Sequence, residues 1–202
     1  MGTTTKMAIP YPASTDLVKD GATAMQSLSE QVDAKSGLVL ISTTTIGSSV
    51  SSVTIPNVFT TNFDNYRIVW NFGDATNTNT TPTYFRLAAS STPDTSANYY
   101  RRTAMSGDAS LVNSIESGVS YIYVGSLDTG ESSWSGWSVD VFSPFKAKPT
   151  VLNILSFSYE GQLQGLMGGG LHTVSTSYDG FRWYLNTGTV SGGTISVYAY
   201  NK

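Results

Sequence analysis

Cysteine is absent from this 202-residue chain, and histidine occurs once, as His172. No disulfide can brace the fold, and no thiolate can hold a metal. One imidazole cannot make a zinc cluster within a single chain. Charge is also scarce: Asp, Glu, Lys and Arg make up 12% of the residues, about half of the roughly 25% usual in globular chains. The net charge is −3 and no basic run exceeds Arg101-Arg102. That excludes the clustered positive surface a nucleic acid needs. No apolar run approaches the ~18 residues of a membrane-spanning helix, so no membrane insertion is expected. The N-terminal "MGTTTKMAIPYPASTD" has no apolar h-region and is not expected to act as a secretory signal.

What the chain has instead is hydroxyl and aromatic side chains. There are 29 Ser, 26 Thr, 12 Tyr, 8 Phe and 4 Trp, and hydrophobic residues reach 40%. Thr, Tyr, Phe and Trp fit a pleated surface, and Ser and Thr keep a surface wet without charge. This is the composition of an all-β protein able to build a core.

The first 16 residues read as extended, because Pro10 and Pro12 fix their own φ and push Ile9 and Tyr11 out of the helical region. A helix follows within "TDLVKDGATAMQSLSEQVDAKSG", with Asp16 or Asp20 as cap and Gly37 as stop. Val18, Met25, Leu28 and Val32 follow steps of seven, three and four, which is an a/d seam with Gly21 at the d position before Met25. Barely two heptads are too short to be stable alone in water. The helix must lean either on its own β domain or on copies of itself around a symmetry axis.

From Leu38 the period falls to two. Strands are expected near 38–46, 51–59, 66–72, 83–90, 98–105, 119–127, 136–145, 150–160, 171–178, 181–186 and 194–200. In "TISVYAY", Ile195, Val197 and Ala199 share one face; "YRIVWNF" reads as a central strand covered on both sides. About eleven strands with short connections predict an antiparallel β-sandwich of jelly-roll type. The domains are then residues 1–36, an extended segment and short helix, and residues 37–202, the sandwich.

The candidate chemistry resolves into turns. Asp128-Thr129-Gly130 has the tripeptide of an aspartic protease, but it occurs once, Glu131 follows it, and strands flank it. A hairpin corner is expected. "STSYDGFRW" is similar to an Asp-box but one residue too short, and Asp179-Gly180 reads as a type I′ hairpin. "GLMGGGL" is followed by a strand-like stretch, without the helix N-terminus a phosphate loop requires, and reads as a loop. His172 lacks a flanking carboxylate and a nucleophile elbow; it reads as a partly exposed strand residue or a ligand on an oligomer axis. Asp140 and Glu160 are the only tempting carboxylate pair for glycoside hydrolysis. No catalytic residue, metal or cofactor is expected. The clusters Tyr99, Tyr100, Trp134 and Trp137 suit stacking on a sugar ring, with Arg101 and Arg102 for acidic groups; the competing reading places the aromatics in the core or an interface.

The order of parts, an extended Pro-containing segment, a very short seam helix and a Ser/Thr-rich sandwich without cysteine, resembles small tail-fibre and related virion proteins of tailed bacteriophages. The stretches that carry the resemblance are "IPYPASTDLVKDGATAMQSLSEQVDAKSGL", "SSVTIPNVFTTNFDNYRIVW" and "GFRWYLNTGTVSGGTISVYAYNK". It implies a homotrimer assembled in the bacterial cytoplasm and located in the virion. Met7, Ile9, Pro10, Tyr11 and Pro12 would dock on other tail or capsid proteins. Val18, Met25, Leu28 and Val32 would form the trimer interface, and the sandwich would meet a host-surface glycan. A head fibre or capsid decoration protein shares these parts. A stand-alone carbohydrate-binding module or small hydrolase is the reading from another class.

Overall fold

The computed structural model describes residues 2–3, 10–11, 20–35, 37–75, 80–107, 110–127, 135–159 and 163–201. The chain divides into two units: residues 1–39 with 200–202, and Leu40–Ala199.

In the first unit, β1 (Gly2–Thr3) pairs antiparallel with β2 (Pro10–Tyr11). Of the expected docking residues, Pro10 and the exposed Tyr11 lie in β2, whereas Met7, Ile9 and Pro12 lie outside the described residues. The helix α1 spans Gly21–Lys35, so Val18 also falls outside the described residues. Within α1 the small side chain of Ala24 is buried, while Met25 and Val32 are 66% and 50% exposed and Leu28 is half-buried. Gln26 Nε2 donates to Glu30 Oε1 one turn on, at 2.8 Å.

The second unit is the expected antiparallel β-sandwich. Its large sheet runs β3 (Leu38–Thr45), β15 (Val190–Tyr200), β5 (Asn65–Ala75), β11 (Gly136–Phe142), β12 (Thr150–Tyr159), β13 (Leu163–His172), β8 (Tyr99–Gly107), β9 (Ser110–Val119). The small sheet runs β10 (Ile122–Leu127), β6 (Thr81–Ala89), β14 (Gly180–Leu185), β4 (Ser52–Ile55), with β7 (Thr92–Pro93) paired to β6. Alternation along each strand sends every second side chain between the sheets. Phe72 of β5 packs on Trp137 at 4.5 Å between ring centroids and reaches Trp183 of the small sheet at 5.0 Å. Trp70 meets Phe181 edge-on at 6.1 Å, and Phe181 stacks on Phe85 at 5.3 Å. Such pairs contribute about 0.5–1.5 kcal/mol each beyond their area burial. Ile195, Val197 and Ala199 are buried on the core side, as their spacing predicts.

Four local expectations fail, each for a physical reason. β5 is central but covered on one side only: Tyr66, Ile68, Trp70 and Phe72 point inward, and Val69 is exposed. The glycine run is not a loop but part of β13; a Cβ on Gly168 would stand 2.4 Å from Arg102 O, so a bare backbone is what lets β13 lie against β8. The chain then leaves the sheet at His172, and residues 173–178 form no strand. Asp179-Gly180 is therefore a joint rather than a hairpin. Its amide donates to Ala88 O, and its carbonyl accepts from Val58 and Phe59 N–H.

One face of the large sheet stays open. Phe142, Val151, Leu155, Phe157 and Met167 alternate outward from β11, β12 and β13 and are all exposed. Amid them Arg67 grips Asp140 through two parallel bonds, Nε–Oδ1 at 2.7 Å and Nη2–Oδ2 at 2.8 Å. Asp140, the carboxylate suspected of hydrolysis, is thus occupied, and Glu160 lies outside the described residues.

Candidate functional site

The outer face of the small sheet carries two rows of chemistry. In β6, Thr83, Phe85 and Leu87 turn inward, so Tyr84 and Arg86 turn outward. In β14, Phe181, Trp183 and Leu185 turn inward, so Arg182 and Tyr184 turn outward. In β10, Ile122 and Val124 are buried and Tyr123 faces out. The registers align them: Tyr123 opposes Tyr84, Tyr84 opposes Tyr184, and Arg86 opposes Arg182. A row of tyrosines therefore runs across three strands, with a pair of arginines beside it.

The rings touch. Tyr84 lies 4.3 Å from Tyr121, 5.3 Å from Tyr184 and 6.2 Å from Tyr123, centroid to centroid. Arg86 Cζ sits 4.6 Å over the Tyr184 ring, and Arg182 Cζ 6.0 Å from it. Arg86 Nε donates to Ser120 O at 2.6 Å and its Nη2 to Ser120 Oγ at 3.1 Å. Arg182 Nη2 donates to Ser52 Oγ at 2.7 Å. Burial, with neighbouring Tyr121 and Glu116, pushes the Tyr84 phenol up. Burial also raises Tyr184, to about 12. Both hydroxyls are therefore neutral donors and acceptors at physiological pH. Arg101, on the neighbouring sheet, reaches the Tyr123 ring at 4.8 Å while paired with Glu116 at 3.1 Å.

The glycan-contact residues expected from sequence are split by the same alternation. Tyr100 and Arg102 face outward on the large sheet, where they line a shallow groove of about 360 Å³ with Ile115, Val151 and Leu171. Tyr99 and Arg101 point inward at 0% and 3% exposure, and Trp137 is in the core at 2%. Tyr99 and Trp137 are enclosed in the core, because adjacent strand residues take opposite faces, and the Arg101 guanidinium is tied to Glu116 although the residue borders the groove. Trp134 and the Asp128-Thr129-Gly130 corner lie outside the described residues. Sequence reasoning missed Tyr84, Arg86, Tyr121, Tyr123, Arg182 and Tyr184.

His172, expected to be partly exposed, is fully buried and belongs to a polar plug between strands. Its Nε2 lies 3.4 Å from Asp94 Oδ2, and its Nδ1 lies 3.4 Å from the Tyr178 hydroxyl. Tyr178 donates to Asp94 Oδ2 at 2.5 Å. Tyr99 stacks on the imidazole at 4.1 Å, donates to Asp94 O and accepts from Leu87 N–H. The imidazole is fully buried and both its nitrogens face Asp94 or Tyr178, so the group reads as structural. No group of three or more metal-ligating side chains occurs among the described residues, and no described helix is long and apolar enough to cross a membrane.

No protein family and no curated protein matches this chain. Among solved structures, the CBM2 module of Lactobacillus casei BL23 phage J-1 evolved Dit aligns with 75% of this chain and 69% of its own, at 11% identity and a TM-score of 0.24. A likeness at that level argues neither fold nor function.

Proposed function

We propose that the protein is a bacteriophage virion structural protein: a homotrimeric tail fibre that docks through its N-terminal segment and displays the sandwich to a host-surface glycan. It acts by binding, without turnover. The observation that carries the reading is the outward row of Tyr123, Tyr84 and Tyr184 with Arg86 and Arg182 beside it. A pyranose presents an apolar face that stacks on such rings, and guanidinium groups and neutral phenols bond its hydroxyls. Two further observations support assembly. Met25 and Val32 of the helix seam are exposed in the single chain. The open face of the large sheet leaves Phe142, Val151, Leu155, Phe157 and Met167 exposed, and sister chains would cover them.

Two measurements test this. Light scattering on the eluting full-length protein is expected to give about three times 21.6 kDa. Met25→Asp with Leu28→Asp is expected to give monomers with an unchanged β spectrum. On a glycan array the wild type is expected to bind, and Tyr84→Ala with Tyr184→Ala to lose about tenfold or more in affinity. A monomeric wild type that binds sugar equally well per chain would instead be a stand-alone carbohydrate-binding module.

A further inference from the structure

Arg86 and Arg182 stand directly opposite one another across β6 and β14. Like charges in that position repel and destabilise a sheet. Neither has an ion pair among the described residues, although acids outnumber bases in the chain by 14 to 11. Glu116, a carboxylate felt by the tyrosine row, is committed to Arg101. Two guanidinium groups thus stand side by side with no described carboxylate paired to either.

They are also held still and partly unused. Arg86 is tied by Nε and Nη2 to Ser120 and lies on the Tyr184 ring. Arg182 is tied by Nη2 to Ser52, while its Nε is buried without a hydrogen-bond partner among the described residues. Neither Nη1 makes a hydrogen bond among the described residues. The N–H donors left at the Nη1 and Nη2 ends of the two guanidinium groups are ones that carboxylates and phosphates accept.

We propose that Arg86 and Arg182 form an anion subsite and that the saccharide bound on the tyrosine row is acidic, carrying a carboxylate or a phosphate on the residue that stacks there. This rests on the glycan-binding reading above. The tyrosine and arginine rows are two residues apart along each strand, roughly 7 Å. One sugar ring over Tyr84 would therefore place a ring substituent over the arginines. The repulsion between the two arginines is relieved when an anion binds, so binding should stiffen this sheet.

The test uses the full-length protein with three probes of equal length: an oligouronate, a glycerol-phosphate oligomer and a neutral glucan. Titration calorimetry at low salt is expected to show at least one acidic probe binding about tenfold or more tighter than the glucan, with that advantage shrinking between 50 and 500 mM NaCl. Arg86→Gln and Arg182→Gln are each expected to cut acidic affinity about tenfold and to weaken the glucan far less, by about twofold, because a Gln amide still donates to a sugar hydroxyl; which acidic probe responds identifies carboxylate or phosphate. A thermal shift by the acidic probe should occur in the wild type and vanish in the double Gln variant. Either variant's own melting curve shows whether it is folded, and Arg→Lys at both positions, retaining charge but not the fork, is expected to recover only part of the affinity. Equal binding of acidic and neutral probes, insensitive to both Gln changes, overturns the anion subsite and leaves the glycan reading standing. Absence of binding to all three overturns both.

Discussion

Gly180→Ala is expected to lower the unfolding free energy by about 3 kcal/mol, the upper part of the range for overpacking a filled site. The melting temperature should fall by about 10 °C for a chain of this size. A Cβ at this position would stand 2.2 Å from Ile55 O and 2.8 Å from Pro56 Cα, both backbone atoms that no rotamer change can move. Nor can the strand retreat. The preceding residue is bonded on three sides: Asp179 N–H donates to Ala88 O, Asp179 O accepts from Val58 and Phe59 N–H, and its carboxylate accepts from Ser90 N–H. The control lies in β11, where a Cβ on Gly136 would meet nothing within 4 Å. Gly136→Ala is expected to be neutral or stabilising by up to about 1 kcal/mol through reduced freedom of the unfolded chain. Urea unfolding of both variants checks the pair, and equal midpoints would mean that the Asp179-Gly180 joint is loose.

That joint also marks the limit of what the sequence discloses. Period-two patterning gives most strands and the sandwich, because a buried face leaves its spacing in the chain. It does not give β9, where Leu111 and Val112 adjoin and Ile115, Ser117 and Glu116 follow no alternation. β9 is the edge of the large sheet, and the residues facing inward there, Ser114 and Glu116, bond Arg101 instead of filling a core. Nor can a glycine run be told from a loop when the reason for the glycines is a neighbouring backbone, as at Gly168.

The candidate site divides the same way. That only one of Tyr99 and Tyr100, and one of Arg101 and Arg102, can face water follows from strand parity and was legible. The outward positions of Tyr84 and Arg86 in "TYFRL", and of Arg182 and Tyr184 in "FRWYL", follow from the same parity. What no local pattern holds is that these two segments, far apart in the chain, lie side by side in a register that sets Tyr84 against Tyr184 and Arg86 against Arg182. The site exists through that pairing, which depends on the whole sheet rather than on either strand.

Acid is expected to destabilise the protein in two steps, the first of which a single substitution removes. His172 is the one histidine in the chain, so the interval between pH 7 and 5 reports on it almost alone. Burial lowers its pKa, and the opposing attraction of Asp94 does not restore it. The unfolded chain therefore takes up this proton near pH 6.5, before the folded one does, and stability falls as pH drops through that value. The slope approaches about 1.4 kcal/mol per pH unit and levels off once the folded imidazole also protonates. Asp94 adds the second step. Burial pushes its pKa up, but hydrogen bonds from Ser96 and Tyr178 outweigh this and hold it below its ordinary value. Its contribution is intact above about pH 4 and is lost below it, as the folded carboxylate is finally protonated. His172→Phe keeps a ring for Tyr99 to stack on and leaves the Tyr178–Asp94 bond in place. Urea midpoints measured from pH 8 to 3 should then be flat for the variant between 7 and 5 and parallel to the wild type below 4. A variant that retained the wild-type slope between 7 and 5 would place the sensitive proton elsewhere and remove the plug's role in acid response.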